Sequence, residues 1–254
     1  MSIRKIPEKI DRHRQDSDRK GVLGLFEVFI RRFRTLSFII VLMPIVIMCL
    51  SVIALSLAPA VLITASLHHW LKSYSLVVYS LGLGVGLSVS FFVFGFSLLL
   101  ITPLVNFLFP FKVKPWRGNW RSLETVPWYV HNALVYVVRY LFLDLVTPSP
   151  LCTMFYRLMG MKIGKGVIIN TTNISDPCLI EIEDYVTIGG SVHMLAHYGQ
   201  KGYLILAPVK IGRGANIGLK ASIMGDVEIG AEATVKPHSV VLPKTRIAEG
   251  EIFG

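Results

Sequence analysis

Residues 209–247 read VKIGRGANIGLKASIMGDVEIGAEATVKPHSVVLPKTRI. Aliphatic residues recur at every sixth position: Ile211, Ile217, Ile223, Ile229, Val235, Val241 and Ile247. After each of the first six, the residue four further on is small or β-branched (Ala215, Ala221, Val227, Ala233, Ser239, Thr245), and glycine directly follows the aliphatic at Gly212, Gly218 and Gly230. Neither a helical nor a strand period produces this run. A six-residue period is that of a parallel β-helix. Each hexad is a short strand plus a corner, three hexads make one turn of about 18 residues, and turns stack about 4.8 Å apart. The aliphatics are expected to fill the interior of the prism, with glycine easing its corners. Ile163, Ile169, Ile182 and Ile188 carry the period upstream, so residues 163–254 are expected to form about four to five turns.

Working outward, the register breaks twice. One break, Ser175 to Leu179, contains Asp176-Pro177; the other runs from about Ala196 to Pro208 and is expected to leave the prism as a loop. A repeat scaffold carries its function on such excursions.

The front half has a different chemistry. No Asp, Glu, Lys or Arg occurs from Thr35 to Leu71 or from Ser73 to Phe111, and a bilayer span needs about 20 apolar residues. Two transmembrane helices are therefore expected over 35–111. The first run would measure about 55 Å as a straight helix against about 30 Å of hydrocarbon, so Pro44 and Pro59 are expected to kink it or end it by Leu67. In the second run Gly82, Gly86 and Ser90 fall on one helical face, the arrangement that lets helix backbones approach closely in lipid. Residues 1–34 form a basic tail in which 1–20 reads as solvated and Val22 to Phe33 as an amphipathic helix on the membrane surface. A cleaved signal peptide fits poorly, because the charged region and the apolar run are both too long. Residues 112–162 read as a linker with an apolar helix from Trp128 to Val146. The charges Arg139 and Asp144 favour an interfacial position for it, with Trp128, Tyr129, Tyr136 and Tyr140 at headgroup level, over a third span. A short helix, Leu151 to Met159, is stopped at Gly160.

The net charge of +10 belongs to the membrane half: residues 1–162 hold 18 basic and 7 acidic residues, residues 163–254 hold 8 and 9. The basic residues flank both apolar runs on one side, which the positive-inside rule reads as a multi-pass protein of the inner (cytoplasmic) membrane with both termini cytoplasmic. Nucleic acid is not an expected partner. The three cysteines, Cys49, Cys152 and Cys178, show no pairing or CxxC spacing, so neither a disulfide framework nor a zinc ribbon is expected.

The tandem hexads, with a histidine-bearing excursion before Pro208, resemble the hexapeptide-repeat acyltransferases, in particular the maltose- and galactoside-acetyltransferase branch over about 163–247. The stretch Trp128 to Arg246, including YRLMGMKIG at 156–164, also resembles the membrane-attached C-terminal domains of poly-lysine-synthetase-like enzymes. The resemblance implies a left-handed parallel β-helix, a homotrimer, and acyl-CoA sites at the subunit interfaces. Acyl transfer from a thioester needs a base for the acceptor's proton and donors for the oxyanion. Histidine suits the base. Among the seven histidines, His197 opens the excursion where the family's catalytic histidine lies, and His193 is the alternative. Asp176 would orient the histidine or hold the acceptor, or serve as ordinary turn chemistry. Asn170 and Asn173 match the Asn-rich strand of the sugar-acetylating branch and would bind the acceptor or acyl group, or simply stack internally. Matched by register, coenzyme A would meet Leu219, Lys220, Ala221, Lys236 and Pro237, with Lys220, Lys236 and Lys244 as point charges for phosphate or as solvated lysines. The leading reading is transfer of an acyl group, most simply acetyl, from acyl-CoA to a hydroxyl or amine of a lipid-linked or glycan acceptor, with no metal. The alternatives are a metal enzyme like the γ-class carbonic anhydrases, for which His193, His197 and His238 are the available set, and a non-catalytic trimeric scaffold.

Overall fold

The computed structural model describes residues 16–17 and 19–254. The solvated tail expected over 1–20 lies almost wholly outside them. Helix α1 (Gly21–Arg32) is amphipathic as expected. Val22, Leu23 and Leu25 are exposed, while Glu27 is buried and accepts from Ser122 Oγ at 2.8 Å. That bond ties α1 to the segment ahead of α4.

Helix α2 (Arg34–Leu71) contains Pro44 and Pro59 within one continuous helix, so of the two expected outcomes, a kink or an end by Leu67, the end does not occur. Each proline lacks the N–H that an interior helical position donates, and the helix accommodates both. Helix α3 (Leu76–Leu108) returns antiparallel to it. The small-residue face is where the two meet: a Cβ on Gly82 would strike Leu71, one on Gly86 would come within 2.0 Å of Leu67 Cδ2, and Ser90 Oγ lies 2.9 Å from Thr64 Oγ1. Both helices are long and apolar enough to cross a membrane.

Strand β1 (Trp116–Asn119) and helix α4 (Val126–Leu141) follow, then α5 (Pro150–Leu158). At 16 residues α4 is shorter than a span. It packs on α2 and α3 on one side and bonds to the repeat half on the other. Phe142, just beyond it, fills the space over Gly95, where a Cβ would come 2.1 Å from its ring. Ser149 caps α5 by accepting the Leu151 N–H at 3.2 Å. Phe155 and Tyr156 of α5 are fully buried and close the N-terminal end of the repeat, where a solenoid needs a cap.

The repeat half is a parallel β-solenoid of three sheets. The first stacks β2 (Lys162–Ile163), β5 (Ile180–Ile182), β10 (Val209–Ile211), β13 (Val227–Ile229) and β16 (Arg246–Ile247). The second stacks β3 (Ile168–Ile169), β6 (Thr187–Ile188), β11 (Asn216–Ile217), β14 (Thr234–Val235) and β17 (Ile252–Phe253). The third has β4 (Ile174–Ser175), β7 (His193–Leu195), β12 (Ser222–Ile223) and β15 (Val240–Val241). The ladders put the hexad aliphatics in columns, such as Ile169, Ile188, Ile217 and Val235, all buried. Truncating one of them to alanine costs about 2–5 kcal/mol. This core is continuous with Val135 and Val138 of α4 and with Leu98 of α3.

The glycines act differently from the expectation. Gly212, Gly218 and Gly230 do not make the left-handed corners; a Cβ on each would lie 2.5–2.6 Å from a backbone nitrogen of the next coil. They permit close stacking. The left-handed corners are mostly occupied by other residues, among them Tyr185, Lys220, Glu232 and His238, whose strain is offset by corner hydrogen bonds such as Lys220 N–H to Gly190 O at 2.9 Å.

The excursion is also not a loop. Strands β8 (His197–Gln200) and β9 (Tyr203–Leu206) form an antiparallel hairpin, and β9 pairs with β1 of the linker. The two turn residues, Lys201 and Gly202, both have positive φ, the requirement of the hairpin turn that matches strand twist.

Candidate active site

The two register breaks meet at one corner of the solenoid, where β4 and β7 of the third sheet lead back toward the first. Asp176, in the first break, adopts a left-handed conformation (φ 58°) and leads into a 3-10 turn, Pro177–Leu179. His197, in the second, starts the hairpin. His197 Nδ1 and Asp176 Oδ2 lie 2.5 Å apart. The Asp176 side chain is fully buried, whereas that of His197 is 20% exposed.

Helix α4 completes the arrangement. Trp128 Nε1 and Asn132 Nδ2 each donate to Asp176 Oδ1 at 2.6 Å, and Asn132 Oδ1 accepts the Asp176 backbone N–H at 3.1 Å. Asn132 Nδ2 also donates to Trp128 O at 3.1 Å, which fixes the orientation of the amide. The Trp128 ring stands edge-on to the imidazole, with centroids 5.0 Å apart. Residues 128, 132 and 136 are one helical turn apart and therefore share a face. The third of them, Tyr136, places its hydroxyl 2.9 Å from Ser175 Oγ.

Oδ1 of Asp176 is occupied by two donors, so Oδ2 is left to accept from His197 Nδ1–H. Nε2 is the ring nitrogen left over, and no hydrogen bond to it is formed among the described residues. A buried carboxylate holding one nitrogen of a partly exposed histidine is an arrangement that can serve as a base and its orienter. Cys178 is no rival nucleophile, since burial, reinforced by Asp176, pushes its thiol up to about 12.

The other residues singled out from sequence disperse around this pair. His193 is exposed on β7, with Ser222 opposite it in the ladder. Asn173 accepts a hydrogen bond from Arg139 of α4, and Asn170 is exposed beside the glycine corner at Gly190. Leu219, Lys236 and Pro237 are exposed, while Ala221 points into the core. Several backbone groups at these positions are already committed: Ala221 N–H to Gly218 O and Lys236 N–H to Phe253 O. Lys220 and Lys236 lie on the corner between the second and third sheets. Lys244 lies on the other corner, its N–H bonded to Asp226 O at 2.8 Å. No three His, Cys, Asp or Glu side chains among the described residues are grouped to hold a metal ion, and His193, His197 and His238 do not converge within one chain.

Sequence reasoning missed Trp128 and Asn132 as site residues, because Trp128 was assigned to headgroup level. Trp128 is only 8% exposed, while Tyr129, Tyr136 and Tyr140 are on the surface. The i, i+4 spacing of Trp128 and Asn132 was the available signal.

The fold defines the class: a hexapeptide-repeat β-solenoid joined to two long apolar helices. No family model matches the chain. A delta-poly-L-ornithine synthetase of Acinetobacter baumannii (strain AB307-0294) is 28% identical over 109 residues, which is 43% of this chain and 8% of that protein. The chain thus spans a small fraction of the curated relative it matches. Among solved structures, serine acetyltransferase isoform 3 of Entamoeba histolytica has a TM-score of 0.25 at 14% identity, covering 76% of this chain and 69% of its own. Serine acetyltransferase 1 of the same organism has a TM-score of 0.28 at 10% identity, covering 75% and 74%.

Proposed function

We propose that the protein is a membrane-anchored acyltransferase that moves an acyl group, most simply acetyl, from acyl-CoA to a hydroxyl or amine of a lipid-linked acceptor. The observation that carries this reading is the His197–Asp176 pair, with Nδ1 held by a fully buried carboxylate and the histidine side chain 20% exposed. His197 Nε2 takes the acceptor's proton as its oxygen or nitrogen attacks the thioester carbonyl. The tetrahedral intermediate collapses, the C–S bond breaks, and the imidazolium returns the proton to the leaving thiolate. Asp176, braced by Trp128 and Asn132, holds the imidazole in orientation and stabilises the imidazolium.

The resemblance to hexapeptide-repeat acyltransferases supports a left-handed coil and a homotrimer with acyl-CoA between subunits. Two observations agree with a shared site. His197 is partly exposed, and Leu219, Val240 and Leu242 present apolar side chains outward on the solenoid. The donor's phosphates would meet Lys220 and Lys236 as side chains. Lys244, on a different corner, would reach a donor bound by a second copy. The long helices α2 and α3 support the anchoring: a soluble acceptor would not require it, whereas a bilayer-resident one is concentrated by it.

His197→Ala tests the reading. Turnover, followed as thiol release, should fall about 10²–10⁴-fold, the contribution of a positioned general base, with folding and coenzyme A affinity retained. His193→Ala should cost much less. A His197→Ala variant that keeps its turnover would overturn the assignment.

A further inference from the structure

We propose that an apolar groove between α1, α2 and the start of α4 seats the hydrocarbon tail of the acceptor lipid and so delivers its polar end to His197. This deepens the acyltransferase reading and rests on it. The groove has a volume of about 220 Å³. One wall is Phe38, Val41, Leu42 and Ile45 of α2, spaced so that they share a helical face. The facing wall is Trp120, Val126 and Tyr129.

Three observations favour a hydrocarbon chain over a polar ligand. First, the hydroxyls at the groove are already paired: Ser122 Oγ donates to Glu27 at 2.8 Å, and Thr125 Oγ1 donates to Ser122 O at 2.7 Å, which leaves Arg121 as the charged group in a lining otherwise mostly apolar. A sugar or peptide would find those groups spent, and its own buried polar groups would cost affinity. Secondly, the groove is continuous with the part of α2 that exposes Ile39, Ile40 and Met43, within a helix long and apolar enough to cross a bilayer. A chain could enter sideways without crossing water. Thirdly, the groove ends one aromatic layer from the base. Its Tyr129 and Trp120 rings lie 4.8 and 6.1 Å from Trp128, whose ring is 5.0 Å from His197. A tail lying against α2 would then have its head near the surface next to this aromatic layer, within reach of His197. The acceptor rather than the donor is assigned to the groove because the bilayer side supplies the acceptor, while acyl-CoA arrives from water at the solenoid.

The test uses the full chain in phosphatidylethanolamine/phosphatidylglycerol vesicles containing a diazirine-tailed lysophosphatidylethanolamine. Photolabelled peptides are mapped by mass spectrometry, with a diazirine-tailed palmitoyl-CoA as the second arm. Label from the lysolipid should concentrate on Val41, Ile45, Val126 and Tyr129. Val41→Trp, which fills the groove, should lower it about tenfold, equivalent to 1.4 kcal/mol of binding. Label on the far part of α2, at Leu62, should not change. Val126→Phe serves as a second filling variant should Val41→Trp fail to fold. Uniform label along α2, label insensitive to both variants, or label from the palmitoyl-CoA probe alone would overturn the proposal. His197→Ala should leave labelling intact. Groove labelling without thiol release in the wild type would leave the groove standing while the enzymatic reading fails.

Discussion

Asn132 bears more on the site than its amide suggests. It satisfies both the carboxylate and the backbone N–H of Asp176, a residue with no access to water. Asn132→Leu would leave a buried N–H unpaired, costing about 1–3 kcal/mol of stability. It should also lower turnover by about 10–100-fold, the scale on which outer-shell partners act. Thermal unfolding and thiol-release kinetics on one preparation separate the two effects. A purely structural role would lower stability and leave the pH profile of kcat unchanged, whereas a loosened Asp176 should shift it. His131, one position earlier, has a different part. It is 3% exposed, with Nδ1 2.9 Å from Asn106 Oδ1 and Nε2 unpartnered. Burial lowers its pKa to about 4, with Lys112 adding to the effect and Asp176 opposing it. The unfolded chain therefore binds a proton that the folded one refuses between pH 6.5 and 4. Stability is fully present above pH 6.5 and falls as the pH drops through 4, by on the order of 3 kcal/mol in total. Thermal midpoints at pH 7.5 and pH 5 should diverge in the wild type and converge in His131→Asn; equal divergence in both would remove His131 as the cause.

At the level of elements, the α2–α3 hairpin depends on small residues at specific heights. Gly86 has Leu67 packed where its Cβ would be, whereas Gly84, half a turn away, has nothing within 4 Å. Gly86→Val should therefore lower the thermal midpoint of the protein in detergent, by an amount corresponding to about 1–3 kcal/mol of overpacking. Gly84→Val should be close to neutral. Equal effects would mean that the helices do not meet on this face. The same small-residue face was legible in the sequence as the series Gly82, Gly86 and Ser90, since helical spacing needs no tertiary information. The β8–β9 hairpin was not legible in the same way. Its strands are four residues each, and its third strand, β1, lies roughly 80 residues away in sequence, beyond any local pattern. Only the side-by-side placement of linker and solenoid reveals that the excursion is a small sheet of its own.

For the whole molecule, the arrangement of helices and solenoid carries a topological consequence. If α2 and α3 both cross the bilayer and α4 does not, the short turn at Ser73 and the solenoid lie on opposite sides. Single cysteines introduced by Ser73→Cys and Lys244→Cys, in a background without the native cysteines, check this. An impermeant thiol reagent applied to intact cells should label the former and spare the latter; labelling of Lys244→Cys from outside would place the solenoid beyond the membrane. The continuous core from Leu98 through Val135 to Ile169 also makes α4 and α5 part of the solenoid's foundation rather than a tether.

The sequence by itself determined the two long apolar helices and the stacked hexads, down to which aliphatics point inward, because both follow from periodicity. It also singled out His197 and Asp176, since each lies where the six-residue register fails. What only the tertiary structure decided is why those two residues form a site. Their pairing requires two register breaks to fall on one corner in successive coils, and their orientation requires Trp128 and Asn132 from a helix 44 residues or more upstream of Asp176. The reason is physical: an interior column repeats with the chain and leaves a period, whereas a buried carboxylate is satisfied by whichever donors the packing brings near, and those leave no period to read.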